Sequence, residues 1–231
     1  MSNEINLVAK SLSVGYDKKN IVLSEINFSI ANGLTALVGE NGSGKSTLLK
    51  TFAGLLNPIS GSCLLNNETI HKFSSETLSK KISIVLTDKL NLPYFKAIDV
   101  VGSGRMPHAS FTGKLSSSDY EIVEKIMSDM KISSLSEKYF NELSDGQKQK
   151  CMIARAVVQE TSVILMDEPT SYLDYRAKRE IMEILQQTAI SLKKIILFSS
   201  HDIELVKRIS ENCFFIENGK VILKECDQLE I

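Results

Sequence analysis

The chain is expected to adopt an α/β fold built on a parallel sheet covered on both faces, and three observations lead there. Short apolar runs at residues 34–38, 163–166 and 195–199 have the length and composition of buried strands. Between them lie stretches of helical spacing: Leu48, Leu49 and Phe52; then Met152, Ile153, Ala156 and Val157; then residues 176–190. Residues 7–14 and 26–30 show partial two-residue alternation instead, which predicts an antiparallel piece beside the parallel sheet.

Each element has its own local signal. The helix that follows residues 39–47 stops at Gly54, and Asn57-Pro58 and Ser60-Gly61 mark a loop before a short strand at 63–65. Residues 90–141 change texture, with two of the chain's four prolines (Pro93 and Pro107), a Gly102-Ser103-Gly104 bend and a serine-rich joint at 116–118. Apolar positions Ile122, Val123, Ile126 and Met130 then predict a helix. This stretch reads as a mostly helical lobe set into the α/β core. Near the end, Asn218-Gly219 between two apolar runs is a strong hairpin signal. The 231 residues are therefore expected to form one unit, with a core of about 1–87 and 151–231 and a helical lobe of about 88–150.

Bulk composition excludes several function classes. A formal charge of −1 provides no long-range attraction to nucleic acid or anionic membrane. No apolar run approaches the ~18–20 residues that span a bilayer, and the polar start at residues 1–6 is unlike a signal peptide. Membrane association is expected only through a partner. Cys63, Cys151, Cys213 and Cys226 are scattered without a paired spacing, which predicts buried thiols rather than a metal or redox site.

Two stretches carry chemistry. Gly39-Glu40-Asn41-Gly42-Ser43-Gly44-Lys45-Ser46-Thr47 places three glycines, a lysine and a hydroxyl between a strand and a helix. Glycines allow the backbone N–H groups to converge on an anion, and the helix aims its positive end at the same point. Lys45 would set a point charge between the β- and γ-phosphates, and Ser46 would offer its hydroxyl to Mg²⁺. Second, the strand 163–166 ends in Asp167-Glu168, at the sheet edge where such folds bind ligands. Asp167 is expected beside the Mg²⁺ and Glu168 against the attacking water. His201 should emerge at the same edge and donate to the γ-phosphate.

Leu143-Ser144-Asp145-Gly146-Gln147, followed by Gln149 and Ile153-Ala154-Arg155-Ala156, resembles the signature sequence of the ABC ATPases, with Asp145 where the first glycine usually sits. Read locally it is a serine-capped helix start. The resemblance extends over nearly the whole chain. It places Tyr16 against the adenine, and it makes Ser171-Tyr172-Leu173-Asp174 a D-loop with Tyr172 in place of alanine. It implies a P-loop NTPase core of the ABC type with an antiparallel β subdomain and an inserted helical subdomain. It also implies Mg²⁺-dependent ATP hydrolysis by a head-to-tail homodimer. Each ATP would lie between the loop of Gly39, Asn41, Gly42, Ser43, Gly44, Lys45, Ser46 and Thr47 of one copy and Ser144, Gly146 and Gln147 of the other. Thr87 stands where the family has a metal-contacting glutamine, and its shorter side chain leaves that contact open.

The segment Gly104-Arg105-Met106-Pro107-His108 resembles one found in the ATPases of iron–siderophore, haem and cobalamin importers; read locally it is a helix end with a solvated arginine. The resemblance implies transmembrane permease subunits as partners, a solute-binding protein indirectly, and a peripheral position on the inner face of the membrane. An ABC ATPase of another transporter class, or one working outside transport, stays open at this point.

Overall fold

The computed structural model describes residues 5–88, 90–110, 113–210 and 212–226. Among the described residues ten strands form two sheets. β1 (Leu7–Asp17), β2 (Asn20–Ile30), β4 (Ser60–Leu65) and β5 (Glu68–Thr69) make an antiparallel sheet in the order β2-β1-β4-β5. β3 (Gly33–Val38), β6 (Ile82–Val85), β7 (Val163–Met166), β8 (Ile195–Ser200), β9 (Asn212–Glu217) and β10 (Lys220–Glu225) make the second, ordered β10-β9-β3-β8-β7-β6. In this sheet β9-β3-β8-β7-β6 run parallel, and the β9–β10 hairpin closes one edge.

The register explains why the central strands show no alternation in sequence. Successive strand residues face opposite sides. Ala36, Val38, Ile164, Met166, Ile196 and Phe198 join one buried cluster, whereas Leu37, Val163, Leu165, Ile195 and Leu197 join the other. Both faces are buried, so most positions are apolar. On the second face lie α1 (Lys45–Phe52), through Leu48, Leu49 and Phe52, and the antiparallel sheet, through Leu12, Val14, Leu23 and Ile26. Phe28 of that sheet stacks on Phe214 with ring centroids 4.4 Å apart. The first face is covered by α5 (Asp145–Val158), α6 (Tyr175–Ser191) and the helical lobe.

In the lobe, α3 (Ala97–Gly102) and α4 (Ser117–Asp129) bury Val100, Val101, Val123 and Met127 in the same cluster as the sheet, so lobe and core share apolar contacts. Residues 95–97 clasp residues 138–140 through Phe140 N–H to the Phe95 carbonyl (2.8 Å) and Ala97 N–H to the Lys138 carbonyl (2.9 Å). The bend expected at 102–104 is instead the end of α3 running into a 3₁₀ helix, Ser103–His108. The short helices α2 (Ser75–Ser79) and α7 (Ile203–Lys207) also lacked a sequence signal, since five residues hold too few turns to show a period. All four cysteines are buried thiols outside any disulfide, and burial pushes the Cys63, Cys151 and Cys213 groups up to about 12.

α4 begins with a capping box. Ser116 Oγ accepts from the Asp119 N–H, while the Asp119 carboxylate accepts from the Ser116 N–H and hydroxyl. Those Ser116 bonds, with the Arg105 guanidinium added, hold the Asp119 carboxyl at about 2 against an ordinary 3.8. A carboxylate depressed in the fold adds stability that is complete above its unfolded value and is lost as pH falls through the folded one. Thermal melts followed by circular dichroism should therefore show Asp119→Asn less stable than wild type at pH 7, with the gap closing between about pH 4 and pH 2. A gap independent of pH would refute the charge-based account.

Candidate functional site

The parallel order brings the carboxyl ends of β3, β8, β7 and β6 to one edge, and each delivers a sequence-marked residue there. β3 runs into the glycine loop, β8 into His201, β7 into Asp167-Glu168 and β6 towards Thr87. The loop turns into α1 at Gly44, whose φ of 106° would strain any side-chain-bearing residue. A β-carbon at Gly44 would also meet Val22 Cγ1 at 2.7 Å, so neither the backbone angle nor the space tolerates one.

Lys45 is the first residue of α1 and is 5 % exposed. Its Nζ donates to the carbonyls of Gly39 (2.7 Å) and Glu40 (2.9 Å) and stands 3.5 Å from Glu168 Oε1. Ser43 Oγ is buried and has no hydrogen-bond partner among the described residues, a costly arrangement for a hydroxyl. An anion lying in the loop would relieve it. Asn41 and Gly42 are exposed at the loop's mouth, Ser46 is half-buried, and Thr47 is buried.

The acidic pair is oriented by a residue that the motifs did not reveal. Ser199, wholly buried in β8, donates to Asp167 Oδ1 at 2.7 Å and accepts the Glu168 N–H at 2.8 Å. Glu168 precedes Pro169, which disfavours the right-handed helical region, and takes a left-handed φ of 46°. Its Oε2 accepts from Ser171 Oγ at 2.7 Å and lies 3.0 Å from His201 Nδ1. Burial alone would raise the Glu168 carboxyl. The bonds from Ser171 and His201, together with the charges of His201 and Lys45, outweigh it and hold the group below its ordinary value. A cavity of about 330 Å³ opens beside this cluster, lined by Asn41, Glu168, Ser171, Ser200, His201 and Asp202 among others. Thr87 Oγ1 donates to the Asp167 carbonyl at 3.1 Å rather than to its carboxylate.

Hydroxyl and carboxylate oxygens are the donors a small divalent cation prefers, and Ser46 and Asp167 supply one of each. Among the described residues no group of three or more His, Cys, Asp or Glu is arranged to hold a metal alone.

The structure brings Lys45, Asp167, Glu168 and His201 to one edge, while Ser144 and Gln147 make their hydrogen bonds to each other. Ser144 caps α5, with Oγ accepting the Gln147 N–H (3.3 Å) and its own N–H going to Gln147 Oε1 (3.1 Å). Gly146 faces α6, where a β-carbon would touch Ala177 at 3.5 Å. Among the described residues no hydrogen bond or ion pair joins Ser144, Gly146 or Gln147 to the Lys45 cluster. Asp145 stands in the first turn of α5, where the helix dipole favours a negative charge. It borders a cavity of about 350 Å³ together with Thr87, Glu168 and Tyr172, so the three departures from the family pattern share one wall. Tyr16, at the end of β1, is 70 % exposed.

Comparisons with known proteins show what the chain is similar to. The family model described as ABC transporter matches residues 23–171. An uncharacterized ABC transporter ATP-binding protein of Methanocaldococcus jannaschii is 41 % identical over 217 residues, spanning 94 % of this chain and 74 % of that protein. The iron(3+)-hydroxamate import ATP-binding protein of Bacillus subtilis is 33 % identical over 227 residues, or 98 % of this chain and 84 % of its own. Among solved structures, an inward-facing putative metal-chelate type ABC transporter superposes with a TM-score of 0.84 at 27 % identity, covering 97 % of this chain and 84 % of that one.

Proposed function

We infer the function from one premise: this chain belongs to the ABC transporter family, as an ATP-binding subunit. We propose that two copies clamp ATP head to tail, each Lys45 loop facing the partner's Ser144–Gly146 turn, and that closure drives a transmembrane permease importing iron complexes. The observation that carries the chemistry is Glu168: a carboxylate fixed by Ser171 and His201, held ionised, 3.5 Å from the lysine of the phosphate loop.

In this reading the loop N–H groups, Ser43 Oγ and Lys45 Nζ bind the phosphates, and Tyr16 stacks on the base. Ser46 and Asp167 would hold Mg²⁺, which neutralises charge on the phosphate oxygens when bound. Ser199 orients Asp167 while fixing the Glu168 backbone. Glu168 accepts the proton of the attacking water, and His201 steadies the γ-phosphate. Within one chain Ser144 and Gln147 cap α5 and do not bond to the Lys45 cluster, which leaves that end of the helix for a second copy's ATP.

No helix among the described residues is long and apolar enough to cross a membrane, so the permease must supply the pathway. Leu90, Tyr94, Phe95 and Tyr139 are exposed, and the backbone clasp between 95–97 and 138–140 brings the segments carrying the last three side by side on the helical lobe. Clustered apolar exposure of this kind marks an interaction surface, and we assign it to the permease. The cargo class rests on the iron(3+)-hydroxamate import relative and on the 104–108 resemblance. Tagged chain purified in detergent from its own cell's membranes should bring a multi-span protein with it. Vesicles made from that complex should accumulate a ferric chelate only with ATP. Recovery without any membrane partner would defeat the transport reading.

A further inference from the structure

The segment Ser103–His108 takes no part in the phosphate edge; its contacts run to the far end of α5. Gly104 lies flush against the last turn of that helix. A β-carbon there would collide with the Arg155 carbonyl oxygen and sit 2.7 Å from Val158 Cγ2. Side chains on either side grip the same turn. Arg155 Nε donates to Ser103 Oγ at 2.9 Å, and His108 Nε2 lies 3.0 Å from the Gln159 carbonyl oxygen. Arg105 is not the solvated arginine that its local sequence suggests, being 5 % exposed. Its Nη1 donates to the Val158 carbonyl (2.7 Å) and to Glu160 Oε2 (2.7 Å), and its Nε donates to Asp119 Oδ1 (2.9 Å).

These contacts follow from what a helix end lacks. The last carbonyls of a helix have no partner within it and carry partial negative charge. Val158 is the final residue of α5 and Gln159 its cap, so Arg105 and His108 complete that terminus from another segment. Asp119 belongs to the capping box of α4. One guanidinium therefore ties the end of α5 to the start of α4. A lysine could not do the same, since a single ammonium lacks the planar fork that reaches a carbonyl and two carboxylates at once.

The other end of α5 is Ser144, its N-cap. We propose that Arg105 is a positioning residue for the signature: by fixing the C-terminal turn of α5 it sets the tilt of that helix, and so the point at which Ser144 and Gly146 meet the partner's ATP. This rests on the two-copy clamp described above. A helix of 14 residues is about 21 Å long at ~1.5 Å per residue, so a tilt of about 5° moves its start by about 2 Å. Hydrogen bonds to a phosphate oxygen tolerate only a few tenths of an ångström. Among the described residues no hydrogen bond or ion pair of Arg105 reaches the Lys45 loop, whose helix α1 packs on the other face of the sheet. One subunit's own hold on ATP should therefore survive loss of the tie, while clamp closure should not.

The test compares Glu168→Gln, a background expected to hold ATP in the closed dimer, with Glu168→Gln/Arg105→Lys and Glu168→Gln/Glu160→Gln. Binding of ATP is measured by calorimetry at concentrations that keep the chain monomeric, and dimerisation with saturating ATP by sedimentation velocity. The Arg105→Lys chain should bind ATP within twofold of its parent, while its dimer dissociation constant rises about tenfold. Glu160→Gln should shift in the same direction by about threefold. Its side chain is 55 % exposed, so it carries the test if Arg105→Lys does not fold. Dimerisation within twofold of the parent for the folded variants would overturn the proposal alone. A parallel loss of ATP affinity would overturn it too, reducing Arg105 to general support of the fold. A parent that stays monomeric with ATP would overturn the clamp itself, and this inference with it.

Discussion

Glu168→Gln should keep its ATP and its ATP-driven dimer while losing between about a hundredfold and ten-thousandfold of the hydrolysis rate. The substitution preserves shape. Ser171 Oγ can still donate to the side-chain oxygen, and the backbone N–H remains bonded to Ser199. What disappears is the negative charge 3.5 Å from Lys45 and the ability to take a proton. Removing an anion from the neighbourhood of a triphosphate can only favour binding, so affinity should be unchanged or tighter. A rate loss without an affinity loss is the mark of an interaction made in the transition state. Single-turnover hydrolysis beside calorimetric titration separates the two. The pH dependence adds a check, because the Glu168 carboxyl lies below its ordinary value. The base form is then already complete at neutral pH, and the wild-type rate should lose Glu168's contribution only well below about pH 4.5. Wild-type turnover in Glu168→Gln would remove the proton acceptor assigned here.

How much of this site is readable from sequence depends on how far apart its parts lie. The phosphate loop, the signature and the acidic pair are each contiguous, so their residue types and spacing appear in one short window. The central strands were legible because burial on both faces leaves few polar residues in a run as long as a strand. Ser199 was not, since a serine at the end of such a run looks like its boundary; its partners are residues 31 and 32 positions away, just past β7. Arg105 is the sharper case. Its local pattern fits a surface arginine at a helix end, and the partners that bury it are 14, 53 and 55 positions away. The left-handed backbone at Glu168 and Tyr172 was equally hidden. A proline following Glu168 hints at the first, whereas nothing local requires the second. Thr87 shows a milder version: its place after β6 was legible, but the direction of its hydroxyl was set by Asp167 across the strand gap.

Lys45→Ala should lower ATP affinity at least about a hundredfold, the loss of roughly 3 kcal/mol expected when a charge-assisted contact to phosphate is removed. The side chain is almost wholly buried, and its ammonium is aimed by two loop carbonyls into the space that the phosphates would share with Glu168. Alanine leaves the backbone N–H groups of the loop in place, so some anion affinity should persist. Folding should suffer little. Lys45 opens α1, alanine is the best helix former, and the helix is anchored by Leu48, Leu49 and Phe52. Calorimetric titration with ATP, beside a thermal melt, distinguishes lost binding from lost structure. The variant also separates two roles for the Glu168 charge. If Lys45 serves mainly as the counter-ion of Glu168, removing it leaves a carboxylate near the bound phosphates, and Lys45→Ala/Glu168→Gln should regain most of the affinity. If Lys45 serves mainly the phosphates, the double variant should regain little, because the neutralised carboxylate supplies no replacement cation. The two loop carbonyls favour the second outcome: they already hold the ammonium on the loop side, where a phosphate oxygen would complete its three donors. Unchanged ATP affinity in the single variant would contradict both roles and the phosphate cradle with them.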